Sequence, residues 1–449
     1  MLAFANGRFT EALIQNTIQV LALPIYSIGL GINPGLIGLA ISLPRLWEAV
    51  TDPYIGYFSD NFRSKYGRRK PFMVAGVILA GLFYALLWSP PTGMGSTVVF
   101  LYFLVISLSF YTAAAVYLVP YYALGNELTS DPQLRSKLMT FCAVFISVAG
   151  LMTPWAYNLS FVPYFGTNEI EGVRVIGIIG GTLIIITGML PCLICKERLT
   201  AQTQPKFHFL TAMKNAFRTR PFVILCSVYI LGLFGILLVS PLAFYVGTYY
   251  MFDGDKAAMS KLYGWLGSSW ALTSIIASPF IYWLIKYFEK KTILIASLIL
   301  VLIGQASQWW LFTPSHPYYS IISFVLSSPG IISLHIIIYS WLADVCDYDY
   351  LQSGLRREGL FSAVYGLIVK AAFALAIFCS GIIISIAGVN TGQDAVQSPE
   401  VILRLRLLFS IVPPIVIVIA IAVAVGYPLT RKRMAEIQRT LEQRETASL

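Results

Sequence analysis

The sequence has little charge, few histidines and no long polar stretch. Only 12% of its 449 residues are Asp, Glu, Lys or Arg, whereas a soluble domain averages about a quarter, so a soluble globular protein is excluded. Its three histidines are widely spread and do not form a recognisable metal motif. The longest polar interruption is Lys196–Arg220, which leaves no room for a soluble catalytic domain.

Long apolar runs fill the rest of the chain. Hydrophobic residues make up 57% of it, in nearly uncharged runs such as Val175–Leu193 and Ile411–Val425. A membrane helix needs about 20 such residues, and the absence of strict alternation excludes a transmembrane barrel. We therefore predict an all-α membrane protein with twelve spans, at approximately 9–28, 35–60, 71–90, 97–125, 138–162, 172–195, 221–249, 261–286, 291–312, 318–346, 358–389 and 401–427.

The formal net charge of +10 indicates topology rather than nucleic-acid binding. Most Lys and Arg residues lie in the loops after even-numbered spans and in the C-terminal tail, whereas the odd loops hold Lys256 and Lys261. By the positive-inside rule, both termini are predicted to be cytoplasmic. The expected location is the inner (plasma) membrane of the cell.

The predicted spans divide into two halves of six. Asp52-Pro53-Tyr54-Ile55 in helix 2 is echoed by Ser278-Pro279-Phe280-Ile281 in helix 8. Two six-helix bundles related as parallel repeats are the architecture of the major-facilitator fold. We predict an N-terminal bundle at 1–195, a cytoplasmic linker at 196–220, a C-terminal bundle at 221–430 and a cytoplasmic tail at 431–449.

Three charged residues lie inside the predicted helix 2. Glu48 and Asp52 are four residues apart and Arg45 precedes Glu48 by three, so all three share one helical face. A charge at the bilayer centre costs at least ~2.5–3.5 kcal/mol and therefore normally faces a functional cavity. The carboxylates could bind Na⁺ or share a proton. The alternative is a structural ion-pair network with Arg45.

Lys370 is a lone lysine in the middle of the predicted helix 11. It needs an anion, and the pair Glu48 and Asp52 is the best candidate in the sequence. The alternative is that its side chain reaches the membrane surface.

Charge clusters also flank helices 2 and 10 on the predicted cytoplasmic side. We interpret them as gates that form and break as the halves move. The alternative is solvated charge next to the membrane. The predicted gate residues are Asp60, Arg63, Arg68, Asp344, Asp347 and Arg356.

Together these motifs resemble the glycoside–pentoside–hexuronide:cation symporters, the melibiose-permease-like branch of the major facilitators. The resemblance covers nearly the whole chain. It rests on Arg45-x-Trp47-Glu48-x-x-x-Asp52-Pro53-x-x-Gly56, on Asp60 through Pro71, on Pro120-Tyr121-Tyr122 with Glu127, and on Ala343-Asp344 through Lys370.

The resemblance implies that Glu48 and Asp52 bind Na⁺, Li⁺ or H⁺, with Lys370 beside them and Arg45 near the acids. Thr51 stands where the family often has Asn, and Glu48 where melibiose-like members usually have Asp. Since Ala115 occupies the position of a helix 4 hydroxyl that helps hold Na⁺, both H⁺ and Na⁺ stay open as the coupling ion.

The substrate site must be predicted from other residues, because the family's sugar-binding carboxylates match Ala12 and Leu118 here. Amides, hydroxyls and aromatic rings inside the predicted spans suit a polyhydroxylated ligand. Each of them could instead bridge helices. The candidates are Gln15, Asn16, Gln19, Tyr111, Thr112, Trp155, Asn158 and His335.

The predicted function is secondary active, cation-coupled transport of a sugar or glycoside by alternating access. The sequence pairs no nucleophile with a base, so an enzyme is not expected. We expect a monomer in the bilayer with no cofactor beyond the coupling cation. The alternatives are transport of lipid-like or other amphiphilic cargo, which predicts a wide apolar cavity, and a passive sugar facilitator, which would not need Glu48 and Asp52.

Overall fold

A computed structural model describes residues 1–128, 131–195, 197, 216–355, 357–392 and 395–448. Thirteen long helices occur in this part of the chain, with short helical turns between some of them. Most of the predicted linker lies outside it. The helices are α1 Leu2–Ala22, α2 Pro34–Asn61, α3 Lys70–Leu87, α4 Ser96–Glu127, α5 Pro132–Met152, α6 Glu169–Ile194, α7 Arg220–Leu237, α8 Lys256–Tyr287, α9 Lys290–Ala306, α10 Ser320–Ser353, α11 Glu358–Ile386, α12 Pro399–Val425 and α13 Arg431–Ser448.

The first twelve helices correspond to the twelve predicted spans. Among the described residues, eleven helical segments are long and apolar enough to cross a membrane. The twelfth is α2. Its 28 residues are enough to cross a membrane, but they include the charged residues Arg45, Glu48 and Asp52. The predicted fold class is confirmed, and the chain is a multi-pass membrane protein.

Local sequence signals explain several helix ends. Asn33 caps α2, because its side-chain oxygen accepts from the Gly35 amide while Pro34 occupies the first turn. Asn168 caps α6 by accepting from the Glu171 amide. The C-terminus of α10 is set by Gly354, which adopts the left-handed conformation with φ +68°.

Glycines allow some helices to touch backbone to backbone. A Cβ at Gly81 of α3 would lie 2.6 Å from the carbonyl oxygen of Gly181 in α6. Since no real side chain tolerates that distance, these two helices need small residues where they cross, as is common in membrane bundles.

The chain forms two compact units. The first comprises the described residues of 1–202, 241–271 and 377–405, and the second those of 203–240, 272–376 and 406–449. The first unit thus joins α1–α6 with the start of α8, the end of α11 and the start of α12. The domain boundaries at 195, 220 and 430 remain a prediction.

The tail forms a helix packed within the second unit. Met434 and Ile437 of α13 are buried, whereas Arg431, Lys432 and Arg433 are exposed. The preceding Tyr427 stacks on Trp341 of α10, with ring centroids 3.6 Å apart. These apolar contacts hold the tail against the bundle.

Candidate functional site

The charged face of α2 is buried in the first unit. Arg45 and Glu48 are only 5% and 3% exposed, and the Arg45 guanidinium lies 3.5 Å from a Glu48 carboxylate oxygen. The guanidinium also lies over the Tyr111 ring of α4, 4.6 Å from its centroid. Asp52 follows one turn later and is half-buried. The predicted juxtaposition of Arg45 with Glu48 therefore occurs, with Tyr111 as a third member.

Thr51 and Thr112 use their hydroxyls locally. Thr51 donates to the Trp47 carbonyl at 3.2 Å, the usual back-bond of a helical threonine. The Thr112 hydroxyl donates to the Leu108 carbonyl at 2.7 Å and accepts from the Trp47 indole at 3.1 Å. The Thr112 contact links the Trp47 indole of α2 to α4.

A polar stripe runs along α1. Gln15, Asn16 and Gln19 are half-buried, as is Glu11 one turn before Gln15. Since positions 11, 15 and 19 are four residues apart, they lie on one face of the helix. Three predicted substrate residues therefore share one region of α1.

Arg8 and Tyr122 extend this stripe and were not among the predicted site residues. Both oxygens of Glu11 are engaged, one by the Arg8 guanidinium and the other by the Tyr122 hydroxyl, each at 2.6 Å. The guanidinium also lies 5.0 Å from the centroid of the Tyr122 ring. Arg8 could have been found from the sequence, because it is one turn before Glu11. The approach of Tyr122 depends on the packing of α4 on α1.

Trp155 and Asn158 contact the start of α8 within the first unit. The Trp155 indole donates to the Ser268 hydroxyl at 2.8 Å, and the Asn158 amide donates to the Ser260 hydroxyl at 3.0 Å. Gly264 allows the approach, since a Cβ there would lie 2.7 Å from the Trp155 ring. Their predicted role in substrate binding stays a prediction, and the structure gives both a helix-bridging contact.

A half-buried ion pair lies at the same end of the unit. The Lys256 ammonium is 3.3 Å from one Glu169 carboxylate oxygen, and the Tyr157 hydroxyl donates to the other at 2.6 Å. Nearby, the Thr391 hydroxyl donates to the Gly31 carbonyl at 2.8 Å. We call this region the odd-loop end. There, polar contacts join the α1–α2 connection, the α5–α6 connection and the start of α6 to the segments 241–271 and 377–405.

The opposite end of the first unit carries the cluster around Asp60. Its main cation is Arg69, which is 6% exposed and lies 2.7 Å from both Asp60 and Glu127. Arg68 also pairs with Glu127. Arg63 is exposed and makes no ion pair within the part of the chain that the structure describes.

Glu197 completes this cluster from the end of α6. Its two carboxylate oxygens accept from the backbone amides of Arg68, Arg69 and Lys70, at 2.8–3.1 Å. It thereby caps the positive end of the α3 dipole. Gly67, with φ +109°, lies so close that a Cβ there would meet the carboxylate at 2.8 Å.

In the second unit, the predicted gate residue Asp344 binds Lys290. The Lys290 ammonium donates to both of its carboxylate oxygens, at 2.7 and 3.0 Å. Asp347 is half-buried on the same helix. Arg356 lies outside the described residues, and the neighbouring Arg357 is 4.0 Å from Asp349.

Lys370 and His335 also belong to the second unit. Lys370 is half-buried in α11, and its pairing with the α2 acids stays a prediction. The His335 ring contacts the Ile331 carbonyl through Nδ1 at 2.7 Å and the Tyr229 hydroxyl through Nε2 at 3.5 Å. His335 thus has partners that the sequence did not reveal.

Among the described residues, no group of three or more His, Cys, Asp or Glu side chains could hold a metal ion. Glu48 and Asp52 supply two carboxylates. A Na⁺ ion at this pair would therefore need further oxygen ligands, and Na⁺ binding there stays a prediction.

Comparisons with known proteins agree on one class. The family model described as MFS/sugar transport protein matches residues 3–431. The chain is 26% identical to the uncharacterized symporter YnaJ of Bacillus subtilis, covering 100% of this chain and 95% of that protein. It is 25% identical to the putative glycoside/cation symporter YagG of Escherichia coli, covering 96% and 92%.

Two further matches widen the range of relatives. The chain is 23% identical to the sphingosine-1-phosphate transporter MFSD2B of Xenopus tropicalis, covering 92% of this chain and 84% of that protein. Among solved structures, a bacterial homolog of the human lysosomal transporter Spinster superposes with a TM-score of 0.69 at 16% identity, covering 94% and 95%. The latter shows a shared fold alone.

Proposed function

The chain belongs to the MFS/sugar transport protein family, and we propose from this premise that it transports a sugar or glycoside together with a cation. As a member, it is a membrane transporter and not an enzyme. The resemblance to the glycoside–pentoside–hexuronide:cation symporters is confirmed by the family match and by the relative named as a putative glycoside/cation symporter. The substrate, the ion, the plasma membrane and the cytoplasmic termini are parts of the proposal.

The buried pair of Arg45 and Glu48, with Asp52 one turn later, carries the proposal. Removing two charges from water costs several kcal/mol per ion unless geometry and hydrogen bonds compensate. A separation of 3.5 Å is long for a charge-assisted hydrogen bond, which is typically about 2.7–2.9 Å. Charged side chains that are held inside a membrane helix at this cost are usually functional, which supports a role in binding an ion.

In the proposed coupling step, H⁺ or Na⁺ binds at Glu48 and Asp52. A bound cation would reduce the negative charge of the two acids. The electrostatic attraction between Glu48 and Arg45 would then be weaker. Arg45 would then keep its second contact, the Tyr111 ring.

The substrate would lie along the polar stripe of α1. Gln15, Asn16 and Gln19 offer amide donors and acceptors, and Tyr122 offers an aromatic face beside Arg8 and Glu11. Sugars present hydroxyls around an apolar ring face, so this combination of amides and aromatic rings suits them.

Alternating access would expose this stripe first on one side of the membrane and then on the other. The contacts of Glu169 and Trp155 at the odd-loop end would break when that end opens. The clusters around Asp60 and Asp344 would form and break in the opposite phase. The structure supports the proposal by supplying polar contacts at these positions.

The test is uptake of a panel of labelled sugars and glycosides into proteoliposomes, with and without a Na⁺ gradient, at two pH values. We expect at least one sugar to accumulate against its gradient and Asp52→Asn to abolish accumulation while leaving the protein folded. The matched control is Glu400→Gln, which neutralises a carboxylate that is 81% exposed. Gradient-driven accumulation by Asp52→Asn equal to that of the wild type would contradict the coupling role.

Amphiphilic cargo is the second candidate. It is supported by the relative named as a sphingosine-1-phosphate transporter. Uptake of a labelled lysolipid into the same proteoliposomes distinguishes amphiphilic cargo from sugar. Uptake of the lysolipid with no accumulation of any sugar would favour amphiphilic cargo. Sugar uptake that equilibrates without accumulating would instead favour a passive facilitator.

A further inference from the structure

A cavity of about 300 Å³ lies in the second unit beneath α13. Its walls come from the end of α8, the start of α9, one turn of α10 and the first turns of α13. The charged residues on these walls are Glu289, Lys290, Lys291, Asp344 and Arg431. The transport mechanism proposed above uses only Asp344 of this set.

Two of the three cations in the cavity have no carboxylate partner in the described part of the chain. Lys290 is engaged by both oxygens of Asp344. Among the described residues, Lys291 donates to the Val425 carbonyl at 2.8 Å, and Arg431 donates to the Lys286 carbonyl at 3.3 Å. A backbone carbonyl satisfies one donor but does not neutralise the charge, so unused N–H groups remain on both side chains. Glu289 is the one further carboxylate that lines the cavity.

The surface beside the cavity suits the edge of a membrane. Trp283, Tyr287 and Phe288, at the end of α8, are 49%, 63% and 54% exposed. The Lys286 ammonium lies over the neighbouring Tyr282 ring, 5.1 Å from its centroid. Exposed aromatic rings next to basic residues are typical of the membrane–water interface.

We propose that this cavity binds the phosphate of an anionic phospholipid headgroup. Lys291 and Arg431 would contact the phosphate, while the acyl chains would cover the exposed rings of Trp283 and Phe288. Basic pockets between membrane helices are known sites for such headgroups. A free phosphate ion offers the same charge but would leave the aromatic surface uncovered, so the structure favours the lipid. The bound lipid would tie α13 to the membrane surface.

Native mass spectrometry of the detergent-purified full-length protein tests the proposal. The protein is titrated with phosphatidylglycerol and, separately, with phosphatidylcholine that carries the same acyl chains. We expect at least tenfold tighter binding of phosphatidylglycerol. The double variant Lys291→Gln/Arg431→Gln should weaken it by roughly 30-fold, since each basic residue near an anionic lipid contributes about fivefold.

Two further variants keep the result interpretable. The matched control Lys432→Gln/Arg439→Gln removes two exposed cations of α13 that do not line the cavity, and it should bind phosphatidylglycerol as the wild type does. Ala435→Trp fills the cavity without changing a charge and should also weaken binding at least tenfold.

Three outcomes would overturn the proposal. The first is equal affinity for the two lipids. The second is an Ala435→Trp variant that binds phosphatidylglycerol normally. The third is displacement of the lipid by millimolar inorganic phosphate, which would reassign the cavity to a soluble anion. None of these measurements involves transport, so they fail or succeed independently of the proposed function.

Discussion

Replacing Glu48 with glutamine separates the two interpretations of the charged face of α2. In the wild type, a Glu48 oxygen lies 3.5 Å from the Arg45 guanidinium, and both side chains are about 5% exposed. Glu48→Gln leaves a buried guanidinium without its carboxylate, which generally costs about 3–5 kcal/mol. Arg45 keeps the Tyr111 ring, whose attraction for a desolvated cation is about 2 kcal/mol. Because the ring continues to stabilise the cation, we expect a loss at the lower end of this range, about 3 kcal/mol in the free energy of unfolding.

A double-mutant cycle then isolates the interaction. Arg45→Gln/Glu48→Gln should lose at least about 2 kcal/mol less than the sum of the two single variants, because neither charge is left alone. The chain offers a matched control in Arg404 and Glu400, another Arg–Glu pair at 3.5 Å whose side chains are 60% and 81% exposed. The same cycle at that pair should give under about 0.5 kcal/mol, as is usual for exposed ion pairs.

The assay combines unfolding in mixed micelles with gradient-driven uptake by the same four proteins. If the acids bind the coupling ion, the double variant recovers stability but does not accumulate substrate. If they serve only as a structural network, the double variant recovers both its stability and its accumulation of substrate. Additive single effects, within about 0.5 kcal/mol, would refute the inferred Arg45–Glu48 interaction. Full accumulation by Glu48→Gln would refute its role in coupling.

Three further predictions concern other contacts. Arg69→Gln should lower the free energy of unfolding by about 2 kcal/mol, because it breaks two ion pairs of a buried guanidinium. The exposed control Arg63→Gln should change the free energy of unfolding by under about 0.5 kcal/mol. Glu169→Gln should speed hydrogen exchange in the first turns of α8 by roughly tenfold, because it removes the charged acceptor that holds this segment; unchanged exchange would contradict that role. Gly172→Ala should cost about 3 kcal/mol in unfolding, because its Cβ would lie 1.9 Å from a backbone oxygen, whereas Gly150→Ala, with nothing within 4 Å, should not destabilise.

The helices were predictable from the sequence because the bilayer imposes their length. About 20 apolar residues are needed to cross it, and this requirement predicts where α1 and α3–α12 lie along the chain. The predicted ends are less accurate, and at least one end of α1, α5 and α7 differs from the observed one by more than five residues. The charged residues Arg45, Glu48 and Asp52 explain why α2 is not among the eleven segments that are apolar enough to cross a membrane. The i,i+4 geometry within one helix then predicted that these charges share a face.

Contacts between helices were harder to predict. Asp60 was predicted to belong to a gate, and several arginines lie within ten residues of it in the sequence. Only the packing of α2, α3 and α4 selects the buried Arg69 as its partner. Glu197 caps α3 from far along the chain, and no spacing rule links the two. Tyr122 reaches Glu11 for the same reason, since the crossing of α4 over α1 is set by side-chain packing.

The sequence by itself determined the class of the molecule: its place in a membrane, its number of membrane-spanning helices and the position of the charged residues along each one. These follow from hydrophobicity and helical periodicity, which are local properties. The tertiary structure decided which charges meet. It placed Arg45 against both Glu48 and Tyr111, held α8 to α6 through Glu169, and folded the basic tail over a cavity that leaves Lys291 and Arg431 available. Pairing between distant residues depends on how helices pack, and helix packing is a property of the whole chain.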